Sequence, residues 1–193
     1  GLMTGTYAVH LPEENTPGHC FATFATSITA FSIELGTYFD NQMRAKEGPY
    51  WFENLRKLRI LIEPRYKNYK NRLDFLWIVN ESVWFDDSPI KALLPSNEHQ
   101  VFRNLRELGD ARNQWYHDHN PHNIGQLRAA LNKLKYLADK CGLELADELV
   151  PVIDRVNAIA AGSYKPEPAK SDNEPEPTTK SPQALRQAAV GAA

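Results

Sequence analysis

Val101-Phe102-Arg103-Asn104-Leu105-Arg106-Glu107-Leu108-Gly109-Asp110-Ala111-Arg112-Asn113-Gln114-Trp115-Tyr116-His117 decides the fold class of this chain. Val101, Leu105 and Leu108 recur at the three- and four-residue steps of one helical face. The next steps on that stripe are Arg112 and then Trp115 or Tyr116. The spacing therefore predicts a long amphipathic helix that ends near His117. It also predicts that Arg112 faces a packed surface, the bundle or a second subunit, where a permanent cation must be satisfied.

The same periodicity extends in both directions. Alternating β-branched runs joined by Asn-Gly or Asp-Gly turns, the signals of strands, are absent from the sequence. A first helix is expected from about Cys20 to Lys46, stopped by Gly48-Pro49. A second follows with Trp51, Phe52, Leu55, Leu58 and Ile62 as its stripe, ended by Pro64. A third should cover Tyr66 to Phe85, before the break Asp86-Asp87-Ser88-Pro89. The quoted helix is the fourth, with Ser96 or Asn97 as its cap. Asn120-Pro121 separates it from a fifth, Asn123 to Cys141, closed by Gly142. A last helix spans Glu144 to Ala161. The expected fold is all-α: an antiparallel helical bundle of five to six helices, assembled as a two-fold dimer.

Three segments follow from composition. Residues 1–18, with Pro12, Pro17 and Gly18, form an N-terminal arm; residues 19–162 form the helical domain. Residues 163–193 mix prolines with Glu, Lys, Ser and Thr, and cannot bury enough surface to fold alone. They are expected to be a tail or a linker to a further domain.

The 193 residues carry a net charge of -2 and a pI near 6.3, which excludes coating of nucleic acid through bulk charge. Any polyanion must be held locally. Cys20 and Cys141 stand alone, without the spacing of a zinc motif or a disulfide framework. The most apolar stretch, from Phe21 to Phe39, is interrupted by threonines, serines, Glu34 and Gly36, so no membrane span is expected. Neither is a secretion signal, and the expected location is cytoplasmic.

The end of the fourth helix carries the chemistry. Arg112, Asn113 and His117 can share one edge there, with Asn113 and His117 four residues apart. A guanidinium suits a phosphoryl group and an imidazole moves protons near neutral pH. That set suits metal-independent RNA cleavage by attack of a ribose 2′-OH on the adjacent phosphorus. His117 would transfer protons, Arg112 stabilise the phosphoryl oxygens, and Asn113 orient the phosphate or the histidine. One histidine is too few for both base and acid, and a two-fold dimer would supply the second.

These residues resemble the HEPN superfamily, whose ribonuclease members carry an arginine and a histidine with four to six residues between them, late in a long helix. Arg112-Asn113-Gln114-Trp115-Tyr116-His117 fits with four residues between. Gly48-Pro49-Tyr50-Trp51, the Asn80–Trp84 stretch and Leu105-Arg106-Glu107-Leu108 resemble the subgroup related to a transcript-surveillance endonuclease, found in prokaryotic defence proteins. The resemblance spans roughly residues 20–160. It implies a homodimer with the motif at its seam, an RNA substrate, no cofactor, and a defence, toxin or stress-response setting. It also includes members that have lost activity and serve as dimerisation modules or dock to a partner ATPase.

Several other features carry alternatives. Arg112 paired with a carboxylate and His117 at a helix terminus would be purely structural. Phosphate binding by Arg112 without cleavage, in a nucleotide-binding domain, is a third reading. His117, His119 and His122 are dense enough for zinc, but they straddle a helix end and a proline, so no metal is expected. His119 and His122 are better placed as loop residues beside RNA. Arg56, Lys57, Arg59, Arg65, Lys67, Lys70 and Arg72, interleaved with Tyr66 and Tyr69, form the main basic cluster, which suits either single-stranded RNA or solvent. The candidate substrate contacts are Tyr116, His119, Arg65, Lys67 and Lys70. Trp51, Trp77, Trp84 and Trp115 are expected in the core or at an interface, and Asn80 and Glu81 at polar interface positions.

Overall fold

The computed structural model describes residues 9–95, 97–117 and 122–168. Among them the chain forms six α-helices and no strand. They are α1 (Pro17–Glu47), α2 (Trp51–Ile62), α3 (Phe75–Trp84), α4 (His99–His117), α5 (Ile124–Lys140) and α6 (Leu145–Ala160). Short 3-10 turns over Pro64–Asn68 and Lys91–Leu93 lie before and after α3. The all-α helical bundle expected from the sequence is what the chain builds. No described helix is long and apolar enough to cross a membrane.

The first helix is the spine, packing against α5, α3, α6 and α2. It starts earlier than expected, because Pro17 sits in its first turn and the Thr16 side chain accepts from the His19 N–H. Thr23, Ser27 and Ser32 are buried in it, and each hydroxyl donates to the carbonyl four residues back. Their polarity is thereby absorbed by their own helix. Gly36 lets the chain pass close by: a Cβ there would lie 2.6 Å from Leu73 Cδ2 and 3.3 Å from the Arg72 carbonyl oxygen.

Helices α5 and α6 form a hairpin whose seam is apolar: Leu127, Leu131, Leu134, Leu137, Leu149 and Val156 are all buried. Asn123 and Gln126 make a reciprocal capping box at the start of α5, where Asn15 also accepts from the Ile124 N–H. The start of α6 has no local side-chain cap; Glu34 of α1 accepts from the Glu144 and Leu145 N–H groups instead. Pro151 lies inside α6 on its exposed face. Helix α4 bridges the two sides of the molecule, packing on α5 and on α3.

Two further expectations change. The third helix does not begin at Tyr66. The 3-10 turn occupies Pro64–Asn68, and α3 starts only at Phe75, after Asp74 caps it through the Leu76 and Trp77 N–H groups. The intervening backbone is pinned from α2: Arg56 donates to the carbonyls of Tyr69 and Lys67, at 2.5 and 2.6 Å. The buried face of α2 is also rotated from the expected stripe. Trp51, Phe52, Leu55 and Arg59 face inward, whereas Leu58, Leu61 and Ile62 are exposed.

Arg59 turns inward because Glu81 meets it. Its guanidinium donates to both Glu81 carboxylate oxygens at 2.7–3.2 Å, and the two residues are 4% and 0% exposed. The Ser88 hydroxyl donates to Glu81 at 2.9 Å, and the guanidinium lies 3.9 Å from the Phe85 ring centroid. Burial alone would push Arg59 toward its neutral form; the Glu81 carboxylate outweighs this and holds it charged. The basic cluster thus loses Arg59 to the core and Arg56 to backbone carbonyls.

Candidate functional site

The apolar face of α4 is Val101, Leu105, Leu108 and Trp115, with Asn104 and Gly109 completing it. Arg112 is not part of the buried face, contrary to the stripe read from the sequence. It is half-buried, and its guanidinium lies 4.2 Å from the ring centroid of Tyr116. A cation over an aromatic face keeps one side apolar and the other open to an anion. Tyr116 in turn meets Phe21 edge-on, with ring centroids 5.2 Å apart, and remains exposed. Trp115 takes the inward position, stacked on Phe24 and on His122. The His122 ring also hydrogen-bonds the Trp115 carbonyl at 3.0 Å, so it packs against α4 rather than standing free in a loop.

Asn113 and His117 are both exposed, and one helical turn separates them on a shared face. Helix geometry puts Arg112–Tyr116 and Asn113–His117 on adjoining strips, an arc of about 140° at the open end of α4. His119 lies outside the described residues.

Asn113 also borders a cleft of about 600 Å³ between the 3-10 turn at Pro64, α3 and α4. Tyr66, Tyr69, Trp84 and Phe85 supply aromatic walls, and Arg65 stands at the rim. Inside it, the Asn80 amide donates to the Tyr69 hydroxyl at 2.8 Å. The Tyr66 hydroxyl is buried without a hydrogen-bond partner, and burial pushes its pKa well above the ordinary phenol value. Burial also raises that of Tyr69, while the nearby charge of Arg112 acts in the opposite sense.

The structure thus brings together Asn113 and Arg65 of the predicted residues, with Arg112 close enough for its charge to reach Tyr69. Lys67 and Lys70 are exposed on the same connection but do not line the cleft. Arg65 is engaged by Glu63 at 3.0 Å. The sequence placed Tyr66 and Tyr69 beside the basic cluster but did not mark Asn80 and Trp84 as site residues. Trp84, expected in the core or an interface, is 63% exposed, with the Arg106 guanidinium 5.4 Å from its ring centroid. The signal was the second stripe of α3: Leu76, Asn80 and Trp84 stand four residues apart, out of phase with the buried Phe75, Ile78, Val79 and Ser82. Among the described residues no group of His, Cys, Asp or Glu is arranged to hold a metal ion.

No protein-family model matches the chain, and neither a curated protein nor a solved structure is significantly similar to it.

Proposed function

We propose that this chain is a metal-independent RNA endonuclease domain of the HEPN type, working as a two-fold dimer. The observation that supports it most is the open end of α4. There Arg112, Asn113 and His117 occupy one solvent-facing arc beside an aromatic cleft. Exposed Leu58 and Leu61 on α2, which do not line that cleft, give a second copy an apolar surface to cover.

In the proposed reaction, His117 of one protomer takes the proton of a ribose 2′-OH. The 2′-oxygen attacks the adjacent phosphorus and the P–O5′ bond breaks. The symmetry-related histidine gives a proton to the departing 5′-oxygen. The products are a 2′,3′-cyclic phosphate and a 5′-OH. Arg112 neutralises charge on the non-bridging oxygens, and Asn113 holds the phosphate in register.

The test is cleavage of single-stranded RNA in EDTA by wild type, Arg112→Ala and His117→Ala. Cyclic-phosphate ends from wild type, with rates reduced about a hundredfold or more in both variants, are the expected result. Cleavage that stops when EDTA is added would sink the proposed chemistry. A second reading is a non-catalytic dimerisation or docking module. It is favoured by the Tyr116 ring that occupies one face of the Arg112 guanidinium. Dimerisation by light scattering without cleavage of any RNA would select it.

A further inference from the structure

We propose that the cleft between the Pro64–Asn68 turn, α3 and α4 binds a nucleobase of single-stranded RNA, adenine fitting it best. This rests on the reading of the chain as an RNA-cleaving domain and adds a base-recognition cleft beside the arginine–histidine motif, with Asn113 bordering both.

Three properties of the cleft carry it. Its walls are aromatic: Tyr69, Trp84 and Phe85 line about 600 Å³, room for a purine, over the buried Tyr66. Its polar lining includes two carboxamides, beside the Tyr66 and Tyr69 hydroxyls and the Glu63–Arg65 ion pair. Asn80 is fixed by its bond to Tyr69 and Asn113 is exposed at the mouth. A carboxamide matches the donor–acceptor pair on an adenine edge bidentately. Its surroundings are cationic on the α4 side, where Arg106 faces the Trp84 ring and Arg112 follows one turn after Leu108. The charge of Arg112 reaches Tyr69 on the cleft wall, which would draw the phosphate of a bound strand to that side. Stacking on an aromatic side chain with a cation at the backbone is how single strands are held without a broad basic surface.

Trp84 is also a built-in probe. Of the four tryptophans, Trp51, Trp77 and Trp115 are buried and Trp84 alone is open to solvent. Acrylamide quenching of tryptophan fluorescence therefore reports this wall, and Trp84→Phe identifies the quenched component. The experiment titrates His117→Ala protein in EDTA with an oligoadenylate and with a ribose-phosphate oligomer of equal length lacking bases. The base-containing strand should protect Trp84 from quenching and the abasic strand should not. Trp84→Ala and Asn80→Ala should each weaken oligoadenylate binding by about tenfold. Equal protection by both strands would overturn the base site, whereas protection that grows with protein concentration alone would assign the surface to a second copy and overturn it too. Wild-type cleavage, measured alongside, separates the two ideas. Base-dependent protection without cleavage would keep the site and remove the enzyme; cleavage without base-dependent protection would do the reverse.

Discussion

The α5–α6 side and the α2–α3 side of this molecule divide polarity in opposite ways. In α5 and α6 the buried positions are leucines, valines, alanines and Ile124, with charge kept outside. Around α2 and α3 the interior holds Arg59, Glu81 and Ser88, while Leu58, Leu61, Ile62 and Trp84 face solvent. The first arrangement is what burial of apolar area alone would select. The second gives up part of that gain, and the apolar surface it exposes lies beside the cleft that Asn113 borders. One side of the bundle keeps its apolar residues inside, and the other leaves several of them at its surface.

Removing one half of the buried ion pair should break that contrast most severely. Glu81→Leu leaves the Arg59 guanidinium without its main partner and is expected to destabilise the fold by about 3–5 kcal/mol. Adding Arg59→Met to it should recover most of the loss, measured by urea unfolding. A double variant no more stable than the single would refute the account of Glu81 as the group that holds Arg59 inside.

Acidification should sharpen the contrast. Burial pushes the Asp40 carboxyl up, but the Trp51 indole N–H, the Arg44 and Arg72 charges and the Arg44 hydrogen bonds hold it below its ordinary 3.8. Arg72 acts as an ion pair 3.0 Å away, without the alignment of a hydrogen bond. A carboxyl depressed in the folded state contributes stability above its unfolded pKa. That contribution is lost as pH falls through the folded value. Below about pH 3.8, hydrogen exchange should therefore rise first around Trp51 and the end of α1, before the α5–α6 seam. Asp40→Asn should flatten this acid slope. An unchanged slope would show that Asp40 does not carry it.

The smallest effect belongs to the other side. Asn123→Ala removes the capping-box acceptor of α5 and should cost about 1 kcal/mol, with no change in exchange around α3. A thermal melt checks the first part and hydrogen exchange the second.

The helices α1, α4, α5 and α6 were legible because local signals mark them: Gly48, the Val101–Leu108 stripe, Asn123 and Gly142 all sit at or near real boundaries. The inward turn of Arg59 was not, since its partner lies 22 residues away on another helix. The late start of α3 depends on Arg56 reaching two carbonyls, which leaves no periodic trace. The arginine–histidine motif could be found by spacing. The aromatic cleft could not, because its walls come from three separate segments. Arg112 was placed on the stripe by counting, yet a four-residue step to Tyr116 offered its guanidinium an aromatic ring outside the core.

Gly109 has a wider consequence. A Cβ there would stand 3.0 Å from Val79 Cγ1, so α3 and α4 touch at a point where one has no side chain. Asn80 is the residue after Val79, and Asn113 is one turn beyond Gly109. The absent methyl is therefore a gauge: it sets how far apart the two carboxamides stand, from outside the cleft. A side chain at position 109 would push the two helices apart there and change the span of the cleft without altering any residue that lines it.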